Sequence, residues 1–275
     1  MNFDSPSDVL PLMKAVDEFV EARLLPLEED PLSFDSHENI KEDLLAKVRQ
    51  EVKALGLFSP QLPKEFGGLG LTPVGQALLY ERMNRSIFGP VCFNCAAPDD
   101  GNMTVLAKVG TKDQQARWLL PIVKGEVRSS FAMTEPHPGG GSDPGMIQTR
   151  AERHGDRWRI YGRKWYITGA QVASHFILIA KTGEGTRDGL TAFLFHKDDP
   201  GWSIIRRIGI MGPEEHGGHC ELEFNGLEIP DENRLMGVGQ GLKVTQIRLG
   251  LARLTHCMRW LGLAQRCMEI ASAYI

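Results

Sequence analysis

The chain has 275 residues, 42% of them hydrophobic and 24% charged, with a formal net charge of −4. That length accommodates one large or two modest domains with a real core, and the composition excludes a disordered chain. A slightly acidic chain argues against nucleic acid as main partner, and no run of about 18 apolar residues offers a membrane span. The five cysteines lack regular spacing, and the first residues, Met1 to Ser5, lack the basic and apolar regions of a secretory leader. Both point to the cytoplasm.

From Ser5 to about Lys124 the apolar residues recur at helical spacing. Leu10, Met13, Val16, Val20 and Leu24 define a first one-faced helix, expected to end at Pro26. Leu44, Leu45, Val48, Val52 and Leu55 define a second. A third starts at Thr72, an N-cap with Pro73 at the first helical position, and reaches about Asn84. Two more fit 102–109 and 111–123. Near Glu126 the period changes from 3.6 to 2. Residues 148–153 and 157–161 read as a hairpin turning at His154-Gly155-Asp156. Further strands are expected at 176–180, 191–195, 202–206 and 220–224, a spacing that suggests a β-sandwich or barrel. From Gly241 the helical period returns and runs to Ile275. The fold class is therefore α+β and multi-domain: a helical domain over 1–125, a β domain over 126–236, and one long helix over 237–275 opening a further helical domain. A helix that long has little to pack against here, which suggests truncation.

The stretch from Ser129 to Ala170 carries the chemistry. An apolar strand breaks at Thr134-Glu135-Pro136 and passes into the loop Pro138-Gly139-Gly140-Gly141-Ser142-Asp143. Pro136 donates nothing to a ladder, so the last backbone N–H groups of the strand are expected to be left over. With the Thr134 and Ser142 hydroxyls they suit a polar heterocycle edge or a phosphate, and Trp165 and Tyr166 suit a ring face. These residues alone imply a flat polar ligand without naming it.

Five motifs in order resemble the acyl-CoA dehydrogenase family: Leu62-Pro63-Lys64-Glu65-Phe66-Gly67-Gly68-Leu69-Gly70; Gly110-Thr111 through Leu120-Pro121 to Gly125-Glu126; Phe131-Ala132-Met133-Thr134-Glu135-Pro136 with Gly141-Ser142-Asp143; Lys164-Trp165-Tyr166-Ile167-Thr168-Gly169; and Gly218 to Phe224 followed by Ile229-Pro230. The set covers almost the whole chain. The resemblance implies helical, β and helical domains, FAD as cofactor, an acyl-CoA substrate, electron-transfer flavoprotein or a similar acceptor, and a homodimer or homotetramer. It places Phe131, Met133, Thr134, Tyr166, Ile167 and Thr168 around the flavin ring, Ser142 against flavin phosphate or acyl-CoA, and Arg253 near the CoA moiety. The implied reaction is α,β-desaturation in fatty acid metabolism: a carboxylate takes the α-proton, donors stabilise the thioester carbonyl, and flavin accepts the β-hydride.

One departure stands out. The family's base glutamate lies in most members beyond the point corresponding to Ile275, and in a minority at the position of Ala252, which carries no carboxylate. No catalytic base is therefore expected within these residues. Two alternatives follow: a non-catalytic remnant acting as a binding or assembly module through Leu254, Trp260, Leu261 and Leu263, or a flavin monooxygenase on the same fold. The pattern His216-Gly217-Gly218-His219, with Ala97 to Met103, resembles the family branch fused to kinase-like domains. Cys92-Phe93-Asn94-Cys95 has the spacing of a zinc or redox pair but lacks its usual context, so a structural role is expected. His216, His219 and Cys220 are read as loop or substrate-mouth residues, with no metal site expected.

Overall fold

A computed structural model describes residues 4–185, 188–212, 214 and 216–275; Met1 to Phe3, read above for a leader, lie outside the described residues. Two compact units result, one holding the chain up to Asp100 with Gly250–Ile275, the other Gly101–Leu249.

In the first unit, α1 (Leu10–Phe19), α2 (Leu25–Glu29), α3 (Glu42–Ala54), α4 (Pro73–Met83) and the short α5 (Gly89–Cys92) enclose one apolar cluster. Met13, Val16, Val20 and Leu24 meet Leu45, Val48 and Val52 of α3 and Leu79 and Met83 of α4 there. Thr72 caps α4 through its hydroxyl, which accepts the Gly75 N–H at 3.2 Å. Pro26 does not end the first helix. A π-helical turn, Val20–Leu24, intervenes, with the Leu25 N–H reaching the Val20 carbonyl. Pro26 then falls in the first turn of α2, where its missing N–H breaks no bond.

The same device recurs before Pro121. After α6 (Asp99–Val109), α7 (Lys112–Gln114) opens with a Thr111–Gln114 capping box, and a π-helical turn, Gln115–Leu119, leads into α8 (Leu120–Val123). The final helix, α9 (Gly241–Tyr274), is 34 residues long. Its later part has partners: Arg85 forks onto Glu269, and Met258 packs on the first unit's core. Leu254, Trp260, Leu261 and Met268 on the same helix stay exposed.

The second unit is built on eight strands: β1 (Arg128–Ala132), β2 (Arg150–His154), β3 (Arg157–Thr168), β4 (Ala173–Lys181), β5 (Leu190–His196), β6 (Trp202–Ile208), β7 (His219–Pro230) and β8 (Arg234–Leu235). They form one mixed sheet, seven of them in the order β6-β7-β3-β2-β4-β5-β8 and β1 paired with β4 off that path. Only the Arg150–Lys181 pair joins β2 to β4, so the sheet turns sharply there. Its two halves fold over one core, where Trp158 of β3 meets Phe193 of β5 and Phe195 meets Phe224 of β7. This is the sandwich-like packing that the short alternating strands predict.

The hairpin forms as expected, and β3 continues past Tyr161 to take in Lys164–Thr168 as one strand. Both β1 and β2 run parallel to β4 along the same edge, β1 at Ala173–Leu178 and β2 at Lys181. The segment between Ala132 and Arg150 therefore leaves the sheet and returns to the same edge. That excursion, beside the end of β3, makes the site.

Candidate functional site

Two features of β3 shape the site. Opposite β7, Lys164 pairs with Leu222 and Ile167 with Cys220, so one extra residue bulges out of β3. Tyr166 takes the left-handed conformation this requires, at φ 50°, and its side chain is 47% exposed. A bulky non-glycine residue there is unusual and disfavoured by about 1–2 kcal/mol. Its ring packs edge-on to Trp165, centroids 5.1 Å apart. Local parity places Lys164 on the inward face, as for Trp158 and Ile160, and the bulge then brings Ile167 inward.

Lys164 is fully buried. Its ammonium donates to the Met133 carbonyl at 2.7 Å and to Glu135 Oε1 at 2.8 Å. Glu135, buried as deeply, also accepts the backbone N–H of Thr149 at 2.9 Å, of Gln148 at 2.6 Å and of Gly140 at 3.4 Å. One carboxylate thus gathers both ends of the loop. Gly139 allows the approach, because a Cβ there would fall 2.2 Å from Glu135 Oε2. Burial pushes the Lys164 ammonium down to about 8, with the Glu135 carboxylate opposing the shift. Burial alone would raise the Glu135 carboxyl, but the ammonium and the N–H donors outweigh it and hold it below its ordinary value.

The end of β1 offers fewer free donors than the sequence suggests. The Glu135 N–H is taken by the Gly140 carbonyl at 2.8 Å, and the Thr134 carbonyl accepts the Trp165 N–H at 2.9 Å. Among the described residues the Thr134 N–H has no acceptor. Phe131 is half-buried, with the Arg248 guanidinium 4.2 Å from its ring centroid. Arg248 is fixed in turn by Asn102, which donates to the Ser129 hydroxyl.

Thr168 donates to or accepts from His219 Nδ1 at 3.0 Å, and its carbonyl accepts the Ser130 hydroxyl at 2.6 Å. The structure thus brings Phe131, Met133, Thr134, Tyr166, Ile167 and Thr168 to neighbouring strand ends. The Ile167 side chain is buried in the sheet core, so what it offers a ligand is backbone. Ser142 is exposed on the loop. Arg253 is exposed on α9 in the first unit, next to the buried Ala252.

Sequence reasoning missed Lys164, Glu135 and Arg248, and saw His219 without its partner. For Lys164 a signal existed: strand parity puts it inside with Trp158 and Ile160, where a charge requires a counter-charge. Glu135 sits outside any periodic element and gave none. Cys92 and Cys95 are free, buried in the first unit's core, with thiols pushed up to about 12 by burial. Such thiols are inert packing groups.

The leftover Thr134 N–H, the Thr134 and Thr168 hydroxyls and the exposed Tyr166 ring are the donor set and ring face that a flavin isoalloxazine requires, so the residues present fit that cofactor. Comparison with known proteins bears on the family of the chain. The family model for the acyl-CoA dehydrogenase N-terminal domain matches residues 8–126, and that for the middle domain 130–227. Acyl-CoA dehydrogenase family member 10 of Mus musculus is 34% identical over 282 residues, 97% of this chain; the chain spans 26% of the length of that relative. A putative acyl-CoA dehydrogenase from Mycobacterium abscessus has a solved structure that superposes with a TM-score of 0.88 at 33% identity, over 97% of this chain and 69% of its own. Butyryl-CoA dehydrogenase from Megasphaera elsdenii gives 0.82 at 25% identity, over 100% and 70%. Adjoining domain matches along most of the sequence, with one backbone shared throughout, leave a single assignment: the chain belongs to the acyl-CoA dehydrogenase family.

Proposed function

We propose that this chain supplies the flavin-binding face of an FAD-dependent acyl-CoA dehydrogenase, an oxidoreductase that removes hydrogen across Cα–Cβ of an acyl-CoA thioester. The observation that carries it is the cluster at the ends of β1 and β3, where one unclaimed backbone N–H, two hydroxyls and an outward tyrosine ring meet. In this reading residues 1–125, 126–236 and 237–275 are the N-terminal domain, the middle domain and the first helix of the C-terminal domain.

Phe131, Met133, Thr134, Tyr166, Thr168 and the Ile167 backbone hold the isoalloxazine, Ser142 serves phosphate or acyl-CoA, and Arg253 serves the CoA moiety. When bound, FAD supplies the acceptor for the β-hydride. The Thr134 N–H and the Thr168 hydroxyl orient the ring, and His219 fixes the Thr168 hydroxyl in turn. Tyr166 and Trp165 shield one face from water. Ala252 offers no carboxylate to take the α-proton. The same reading carries an electron-transfer flavoprotein as acceptor, a homodimer or homotetramer, and a cytoplasmic place in fatty acid metabolism. Among the described residues no helix is long and apolar enough to cross a membrane.

The test is a visible spectrum of the purified chain before and after adding FAD. Protein-bound absorption bands near ~370 and ~450 nm are expected, and they should survive addition of acyl-CoA while no base is present. A protein that stays colourless with excess FAD, and does not quench flavin fluorescence, refutes the reading.

A further inference from the structure

The buried pair beneath the loop has a consequence for the cofactor. In a trans peptide the C=O of one residue and the N–H of the next point in opposite directions within one plane. The Met133–Thr134 peptide is trans, since among the described residues the cis bonds fall at Ala97-Pro98 and His137-Pro138. The Lys164 ammonium caps the Met133 carbonyl from the fully buried side. The Thr134 N–H in the same plane is thereby turned away from the interior. The next peptide is committed on both edges, to the Trp165 N–H and the Gly140 carbonyl, so the flanking backbone cannot rotate to compensate. Four donors on Glu135 keep its carboxylate, and with it the ammonium, in place.

Resting on the flavin reading above, we infer that Lys164, seated by Glu135, is a positioning residue for the cofactor: by capping the Met133 carbonyl it presents the Thr134 N–H as a fixed donor to the flavin. It touches neither substrate nor cofactor and acts through one peptide plane. A fixed donor of this kind also favours the electron-rich reduced ring over the oxidised one, as preorganised donors favour developing negative charge.

The experiment compares three variants of the full protein with the parent, by FAD titration and by flavin midpoint potential. Glu135→Gln keeps a neutral acceptor for the loop, removes the counter-charge of Lys164 and leaves its amine on Met133, and so serves as the reference from which the cap itself is then removed. Lys164→Met combined with Glu135→Gln removes the cap without leaving a bare charge. FAD is then expected to bind about tenfold more weakly than to Glu135→Gln. Its potential should move about 30 mV negative, a tenfold loss of preference for the reduced form. Lys164→Arg, which keeps a donor, is expected to recover most of both.

A double variant that is folded and matches Glu135→Gln in affinity and potential overturns the inference. If the double variant does not fold, a tenfold loss in Lys164→Arg, which still donates to Met133, overturns it equally. Failure of the parent to bind FAD would instead remove the functional reading, so the two failures are distinguishable.

Discussion

Two deeply buried ion pairs, one taken from each unit, serve different architecture. In the second unit Lys164 and Glu135 have side-chain exposures of 0% and 3%. The carboxylate's other partners are all backbone N–H groups of one loop. In the first unit Arg259 and Asp100 have side-chain exposures of 11% and 4%, and Asp100 also accepts the Thr255 hydroxyl at 3.2 Å. Arg259 donates to the Cys95 carbonyl as well and lies over the Tyr80 ring. The first pair is a template on which an irregular loop condenses. The second pins a helix already regular by its own hydrogen bonds. A charge pair can therefore specify backbone conformation in one place and only helix placement in another.

The largest expected effect tests that contrast. Lys164→Ala strands a buried carboxylate and is expected to destabilise by about 3–5 kcal/mol in urea unfolding. Amide exchange should accelerate across 136–149. Arg259→Ala strands Asp100 and is expected to cost a similar amount, but its exchange should rise at the later turns of α9 and not in any loop. Arg163→Ala, which breaks an exposed pair with Glu223, should cost no more than about 1 kcal/mol. Equal loop protection in parent and Lys164→Ala would break the distinction.

The sheet was legible in the sequence because its strands alternate or run apolar between turn signals, and β4 and β5 bury nearly every residue. The first helix was legible up to Pro26, where a rule about proline met a π-turn that no local pattern announces. The site was legible as motif and as hydroxyls, but not as geometry. Glu135 lies outside any periodic element, and its role arises from partners 5 to 29 positions away. Thr168 was visible, while its partner His219 stands 51 positions on and is brought opposite only by the pairing of β3 with β7. Non-local polar contacts leave no period to read.

The next effect depends on pH and again separates the pairs. The folded Lys164 titrates near 8, below its ordinary 10.5, so between those values the unfolded chain holds more protons than the folded one. Stability from this group therefore rises with pH across that window, and its burial is unfavourable below about 8. Glu135 has the opposite placement: its folded value lies below the ordinary 4.5, so its contribution is present above 4.5 and lost as pH falls through the folded value. Arg259 is raised above an already high value and stays charged throughout. Subtracting the stability curve of Lys164→Met from that of the parent should leave a positive slope between about 8 and 10.5. The same subtraction for Arg259→Met should be flat there, and a flat difference for Lys164 would show that its ammonium titrates normally.

The smallest effect concerns the residue next to the template. Tyr166 holds a left-handed backbone in the bulge of β3 at a cost glycine would not incur. Glycine in turn gives the unfolded chain more freedom, which offsets part of the gain. Tyr166→Gly should therefore shift stability by less than about 1 kcal/mol, while FAD affinity falls because the exposed ring is gone. The two readouts should move independently, since the ring contacts Trp165 and solvent and the backbone is set by the bulge. A large loss of stability would mean that the Tyr166 ring packs for structure. The left-handed tyrosine would then be a structural element of the bulge, and the ring-binding face would reduce to Trp165 and the threonine donors.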